Sequence, residues 1–216
     1  TVTAETATAQ AEAALSVIEA PPVPAHPIIN EVDYDQPATD TTDFIEILNP
    51  TEDVLMLAPF SVQIINGSDG SVIDEYELGL AADRLPAGGT LVIGMDDVLA
   101  GLPADVPAIP MSGPTAGGLQ NGPDAVRLVQ RLPGGVEFID GLAYEGAVRG
   151  AGEGNPPALN DAAADLAFSL GRCPNGVDTD DNASDFRLGA PTPGAVHDCP
   201  AALAAVLAGH SPDVHP

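Results

Sequence analysis

The stretch NGVDTDDNASDF, residues 175–186, sets oxygen donors at alternating positions: Asp178, Asp180, Asn182 and Asp185. Carboxylates this dense repel one another unless water, a cation or backbone N–H groups take up the charge. A tight loop can wrap such donors around Ca²⁺, with carbonyls and waters completing about six to eight oxygen ligands. The stretch is no EF-hand, since Ala183 stands where that loop needs glycine and no distal bidentate Glu follows. The alternative is a hydrogen-bonded corner. There Asp178 and Asp185 accept backbone N–H groups in Asx-type turns and Phe186 anchors the segment in the core. A second acidic stretch, DYDQPATDTTD, holds Asp33, Asp35, Asp40 and Asp43. It reads as a solvated loop, or as a weak cation site shared with residues 178–185 if the fold brings both to one end.

Other chemistries find no such concentration of groups. Nucleophilic catalysis needs Ser or Cys beside a base that a third group orients. The sequence has no Gly-x-Ser-x-Gly; His26, His210 and His215 fall in expected tails, and His197 follows a closing Pro-Gly turn. A loose tail does not hold a base within hydrogen-bonding distance. Carboxylate pairs for glycoside hydrolysis can be drawn in many ways, but there is no Trp to supply a sugar platform. The segment AGGLQNG, residues 116–122, lacks the Lys-Ser/Thr of a phosphate loop. The chain therefore reads as a non-enzyme.

These residues sit in 216 residues with 32 acidic and six basic side chains, a formal net charge of -26. Such a field repels phosphate backbones, which excludes nucleic acid as a partner, and it favours solubility in salt and divalent cations. Hydrophobic residues make up 44% and aromatics only 4%, so the core should be aliphatic. No apolar run approaches the roughly 20 residues that span a bilayer. The chain opens at Thr1 with no Met and no basic-then-apolar leader, which reads as a mature form after loss of an export signal. Cys173 and Cys199 cannot build a cysteine zinc site. They can be two buried thiols, or one disulfide closing a loop of about 26 residues, stabilising by roughly 3 kcal/mol and requiring an oxidising compartment.

The positioning elements are short. PIINEVDY, DFIEILNP, VLMLAPFSVQII, EYELGL, GGTLVIGMD, DAVRLVQR and VEFIDGLAY are each of strand length and are separated by turn residues. In DFIEIL, Phe44, Ile45 and Ile47 surround Glu46, which predicts one buried face and one solvated acidic face. Asn66-Gly67 with Asp69-Gly70, and Pro133-Gly134-Gly135, predict two hairpins. Residues 98–123 and 145–165 read as long loops. The fold class is an all-β, antiparallel sandwich over residues 28–199. An N-terminal arm and Pro-rich linker, 1–27, precede it, and a tail, 200–216, follows. Leu15, Val17 and Ile18 form an apolar cluster in the arm, and Leu203, Val206 and Leu207 recur at helical spacing in the tail. Either extension can fold back on its own sandwich; the arm can instead cross to a neighbour and pair with a free sheet edge, giving filaments.

In order, IINEVDY, DFIEILNP, LPAGGTLVIG, VEFIDGLAY and the closing SLGRCPNGVDTDDNASDFRLGAPTPG resemble the lamin tail domain, an immunoglobulin-like sandwich also found in exported prokaryotic proteins. The resemblance covers roughly residues 28–199. It implies a non-catalytic module of scaffolding, surface attachment or assembly. The acidic surface departs from the nuclear relatives, so their DNA partner is not carried over. Because the acidic loop belongs to that shared pattern as a whole, the corner reading is preferred, with Arg172 as a nearby counter-charge in a half-buried pair. A single weak calcium site on Asp178, Asp180, Asn182 and Asp185 is the only cofactor considered. The expected function is a secreted structural or adhesive module, self-assembling at a cell surface or bound to other cell-surface proteins. The rival is an accessory targeting domain of an exported hydrolase.

Overall fold

The computed structural model describes residues 23–36, 40–158, 168–197 and 199. The arm cluster Leu15, Val17 and Ile18 and the tail beyond residue 200 lie outside the described residues. The fold is an all-β sandwich. Its larger sheet runs β12-β11-β1-β2-β7-β8, where β1 is Ile28–Asp33, β2 Phe44–Leu48, β7 Thr90–Gly94, β8 Ala108–Pro110, β11 Ser169–Arg172 and β12 Phe186–Gly189. The facing sheet runs β10-β9-β4-β5, with β4 Phe60–Asn66, β5 Val72–Glu77, β9 Asp124–Leu132 and β10 Gly135–Tyr144. A short ribbon pairs β3, Leu55–Met56, with β6, Arg84–Leu85.

Alternation builds the core. Ile29, Val32, Ile45, Ile47, Leu91 and Ile93 of the larger sheet meet Val62, Ile64, Val126, Leu128 and Leu142 of the facing one in one buried cluster. Both predicted hairpins form, joining β4 to β5 and β9 to β10. Two departures from the sequence reading matter. β8 lies parallel to β7, so the sheet is not purely antiparallel, and it arises within residues 98–123, read as loop. The helix α1, Asp96–Gly101, joins β7 to it, as a parallel return requires a crossover.

The second departure is the outer face of the larger sheet, which is covered over β1, β2 and β7. Phe44 and Val92 are buried beneath Val98, with Leu99, Leu102 and Val106 packed against them. Beside that patch, residues 192–197 cross over Glu31 and Glu46, both fully buried. The predicted solvated face of β2 is thus corrected: alternation fixes Glu46 on the face opposite Ile45 and Ile47 but does not say what lies above it. A Cβ on Gly171 would come within 2.5 Å of the His197 ring, so this glycine lets the covering segment settle on the sheet.

A disulfide joins Cys173 to Cys199, with Cα atoms 5.3 Å apart. It ties the end of β11 to the end of the covering segment. Replacing both cysteines with Ser is expected to cost about 3 kcal/mol in urea unfolding; an unchanged midpoint would show that the bridge constrains neither the unfolded chain nor the cover.

Candidate functional site

Arg172, the last residue of β11, is completely buried between the sheets. Its Nε donates to Ile29 O at 2.7 Å, Nη2 to Asp140 Oδ1 at 2.7 Å, and Nη1 to Asp185 Oδ2 at 2.8 Å and Asp178 Oδ1 at 3.2 Å. Glu153 Oε2 approaches Nη2 to 3.9 Å, an ion-pair distance without a hydrogen bond. The Phe186 ring lies 4.6 Å from the guanidinium carbon, closing the far side by a cation–π contact. Asp140 reaches this interior position because a register shift in β10 between Phe138 and Asp140 turns its carboxylate inward. Its second oxygen accepts the Ile29 N–H at 2.6 Å. One buried ion pair therefore takes both backbone groups of Ile29, beside a second irregularity between Ile29 and Glu31 in β1.

Burial opposes the charge on Arg172, but Asp140, Asp178, Asp185 and Glu153 outweigh it and hold the guanidinium pKa above its ordinary value. The carboxylates bear the reverse stress. Burial, then the charges of Asp140 and Asp178, push Glu153 up to about 9. Burial and Asp140 likewise raise Asp178.

The four residues singled out for calcium do not share one centre. Asp185 accepts the Thr179 N–H and Oγ1–H besides Arg172. Asp178 accepts from the Asp180 N–H. The corner reading thus describes both, with Phe186 buried as its anchor, except that Arg172 is wholly rather than half buried. Asn182, opening the short α2, Asn182–Asp185, instead serves β10. Its Nδ2 donates to Gly141 O, and its Oδ1 accepts from Ala143 N and Glu153 N. Asp180 is exposed, with φ of 57°. The group whose oxygens do converge is Asp140, Glu153 and Asp178, each offering one atom within 4.8 Å of the others. Asp140 and Glu153 had no motif to mark them. A strand position and a loop position become partners only through the β10 bulge and the fold.

A second buried polar layer lies under the covering segment. Glu31 and Glu46 stand opposite each other on β1 and β2. Glu31 accepts from Ser169 Oγ, Thr192 N and Thr192 Oγ1. Glu46 accepts from Asn30 Nδ2 at 2.8 Å and Gly194 N at 2.8 Å. The Asn175 side-chain amide grips the His197 main chain, its Nδ2 donating to His197 O and its Oδ1 accepting from His197 N. The His197 ring, buried, has Nδ1 3.6 Å from Glu31 Oε1, and Nε2 without a partner. Burial lifts Glu46 to about 8, Asn30 opposing and Glu31 reinforcing the shift.

The other acidic stretch does not join the first. Ile29 and Asp33 are four residues apart along β1, so the Arg172 centre and the 33–43 segment lie about 13 Å apart along the strand. Asp43 accepts the Leu119 N–H at 2.7 Å. Burial raises its pKa to about 7 against that bond, with Asp40 and Asp35 adding to the rise. Between residues 85–90, 105–107 and 194–196, over Asn30 and Asn175, opens a cleft of about 270 Å³.

No protein-family model matches the chain, and no curated protein matches it. The likeness to lamin tail domains therefore rests on the quoted motifs.

Removing the charge of Arg172 while keeping its bulk, Arg172→Met, is expected to cost about 3–5 kcal/mol, because buried carboxylates lose their partner; a loss below 1 kcal/mol by urea unfolding would contradict the arrangement. A pH dependence follows from Glu46. Between its ordinary value of 4.5 and about 8 the folded state keeps a proton that the unfolded chain has released. Stability from this group is full below pH 4.5 and is lost as pH rises through about 8. Melting temperature should fall across that window, and Glu46→Gln should flatten the fall; an equal slope in both proteins would refute the assignment.

Proposed function

We propose that the chain is a non-catalytic structural module of an oxidising, extracellular setting, and that it works by associating through one sheet edge. The observation supporting this is the division of β10 into a closed half and an open half. Asn182 caps Gly141 and Ala143, occupying the outer edge as a neighbouring strand would. Residues 135–138 have no described segment on that edge, and here Val136 is 55% and Phe138 41% exposed, beside Leu132 at 45%. An open edge flanked by apolar side chains is a template for strand addition. The lamin-tail resemblance points to the same class of role, and the disulfide fits an oxidising compartment. The arm with Leu15, Val17 and Ile18 supplies a candidate strand for a neighbour's edge, and head-to-tail addition of that kind makes filaments.

The cleft over Asn30 and Asn175 favours a second reading, an accessory domain that holds a ligand on behalf of an exported hydrolase. Sedimentation velocity over a wide concentration range separates the two. Under the first, the protein associates, and Phe138→Glu with Val136→Lys keeps it folded and monomeric. A parent that stays monomeric throughout overturns self-association and leaves the cleft as the site to pursue.

A further inference from the structure

We infer that Asp140, Glu153 and Asp178 form a calcium site on the Glu153 side of Arg172, independent of the assembly reading and different from the run of donors that the loop sequence displays. Three observations carry it. The first is geometry: one oxygen from each residue lies within 4.8 Å of the other two. Calcium holds oxygens at about 2.4 Å, so two of its ligands stand at most about 4.8 Å apart; magnesium, at about 2.1 Å, requires a tighter set.

The second is an orphan. Glu153 is 91% buried, since its relative exposure is 9%, yet its Oε2 has no hydrogen-bond partner while it points toward Arg172 at 3.9 Å. Buried carboxylate oxygens are rarely left unsatisfied, and one that is marks a ligand or an ion. Arg172 meets that need only as an ion pair: its Nε and Nη1 serve Ile29, Asp185 and Asp178, Nη2 donates to Asp140, and Glu153 stands 3.9 Å from Nη2, beyond hydrogen-bond reach.

The third is room. A void of about 30 Å³ lies against Glu153, lined also by Gly152, Gly154, Asn182 and Pro156 but by neither Asp140 nor Asp178. It has space for a water bound to Glu153, since one needs roughly 10–15 Å³ of such volume. Four carboxyl groups surround one guanidinium, and burial with the charges of Asp140 and Asp178 raises Glu153 to about 9. A divalent ion relieves that repulsion and displaces the Glu153 proton as it binds. The hard, all-oxygen set selects calcium over the softer transition metals. Extracellular modules typically bind it at about 0.1–1 mM, where the ion is abundant.

The test is thermal unfolding of the full chain, disulfide intact, with CaCl₂ or MgCl₂ at matched ionic strength. Calcium at about 10 mM should raise Tm by roughly 3–6 °C, because a ligand bound only to the folded state stabilises by mass action. Magnesium should do less. Glu153→Gln, which keeps the shape and removes the ligand charge, should fold and lose most of the calcium shift. Asp180→Asn, changing an exposed acid in the same loop, should keep it. Isothermal titration with CaCl₂ should give one site per chain in the parent and none in Glu153→Gln. Equal shifts with both ions, no shift in the parent, or an undiminished shift in Glu153→Gln each overturns the site. So does loss of the response in Asp180→Asn alone.

Discussion

The fold turns on how one residue's backbone is satisfied. The β1–β11 register runs through Glu31–Gly171 and Val32–Leu170 and then stops. At Ile29 the ladder is replaced by side chains, the N–H donating to Asp140 and the C=O accepting from Arg172. Those two groups come from different sheets and bind each other. The ion pair is therefore a cross-sheet staple as well as a substitute hydrogen-bond ladder. Buried pairs are a weak source of net stability, but breaking one is costly, and they penalise alternative packings. Any shift of one sheet against the other would leave a charge and two amide groups unpaired. The acidic loop, the α2 turn and the Phe186 ring all gather around this pair, and the disulfide begins one residue after Arg172.

From the same edge a second consequence spreads outward. A sandwich of this size commonly leaves one face of each sheet wet. Here α1 covers one part of the larger sheet's outer face and residues 192–197 another, sealing Glu31, Glu46 and His197 beneath backbone. The facing sheet keeps Arg131 and Arg127 on its outer face, with Arg131 bridging to Glu75 and Arg127 donating to Gln63. Among the buried acids, Glu31, Glu46, Asp140 and Asp185 are each held by two or more donors.

The sequence made the strands legible because period-two alternation and Gly-rich turns are local signals, as in the hairpin at Pro133-Gly134-Gly135. The cysteine pair was legible because only one intramolecular bridge is possible. Phe186 as anchor and Arg172 as counter-charge to the loop were also within reach, being close in the chain to Asp178 and Asp185. What could not be read were contacts spanning the chain. Gly194 donates to Glu46 across 148 residues, and Asp140 meets Ile29 across 111. Bulges make matters worse, since one extra residue moves a side chain to the opposite face; an outward carboxylate in VEFID becomes an interior one. The alternating donors of the acidic loop suggested a single centre, yet the chain directs Asn182 to β10 and Asp178 to Arg172.

The strand order β12-β11-β1-β2 sets the last strands of the sandwich directly against the first. A chain emerging end-on from a ribosome or a translocation channel makes β1 early and must wait for more than 130 residues before Ser169–Arg172 can pair with it. Until then the Ile29 carbonyl lacks its guanidinium, and Glu31 has no cover. Long-range closure of this type is slow because loop entropy is lost before contacts repay it. The high density of like charge then acts in time as well as in space. It holds the unfinished chain extended and apart from its neighbours until the segment that neutralises its interior arrives.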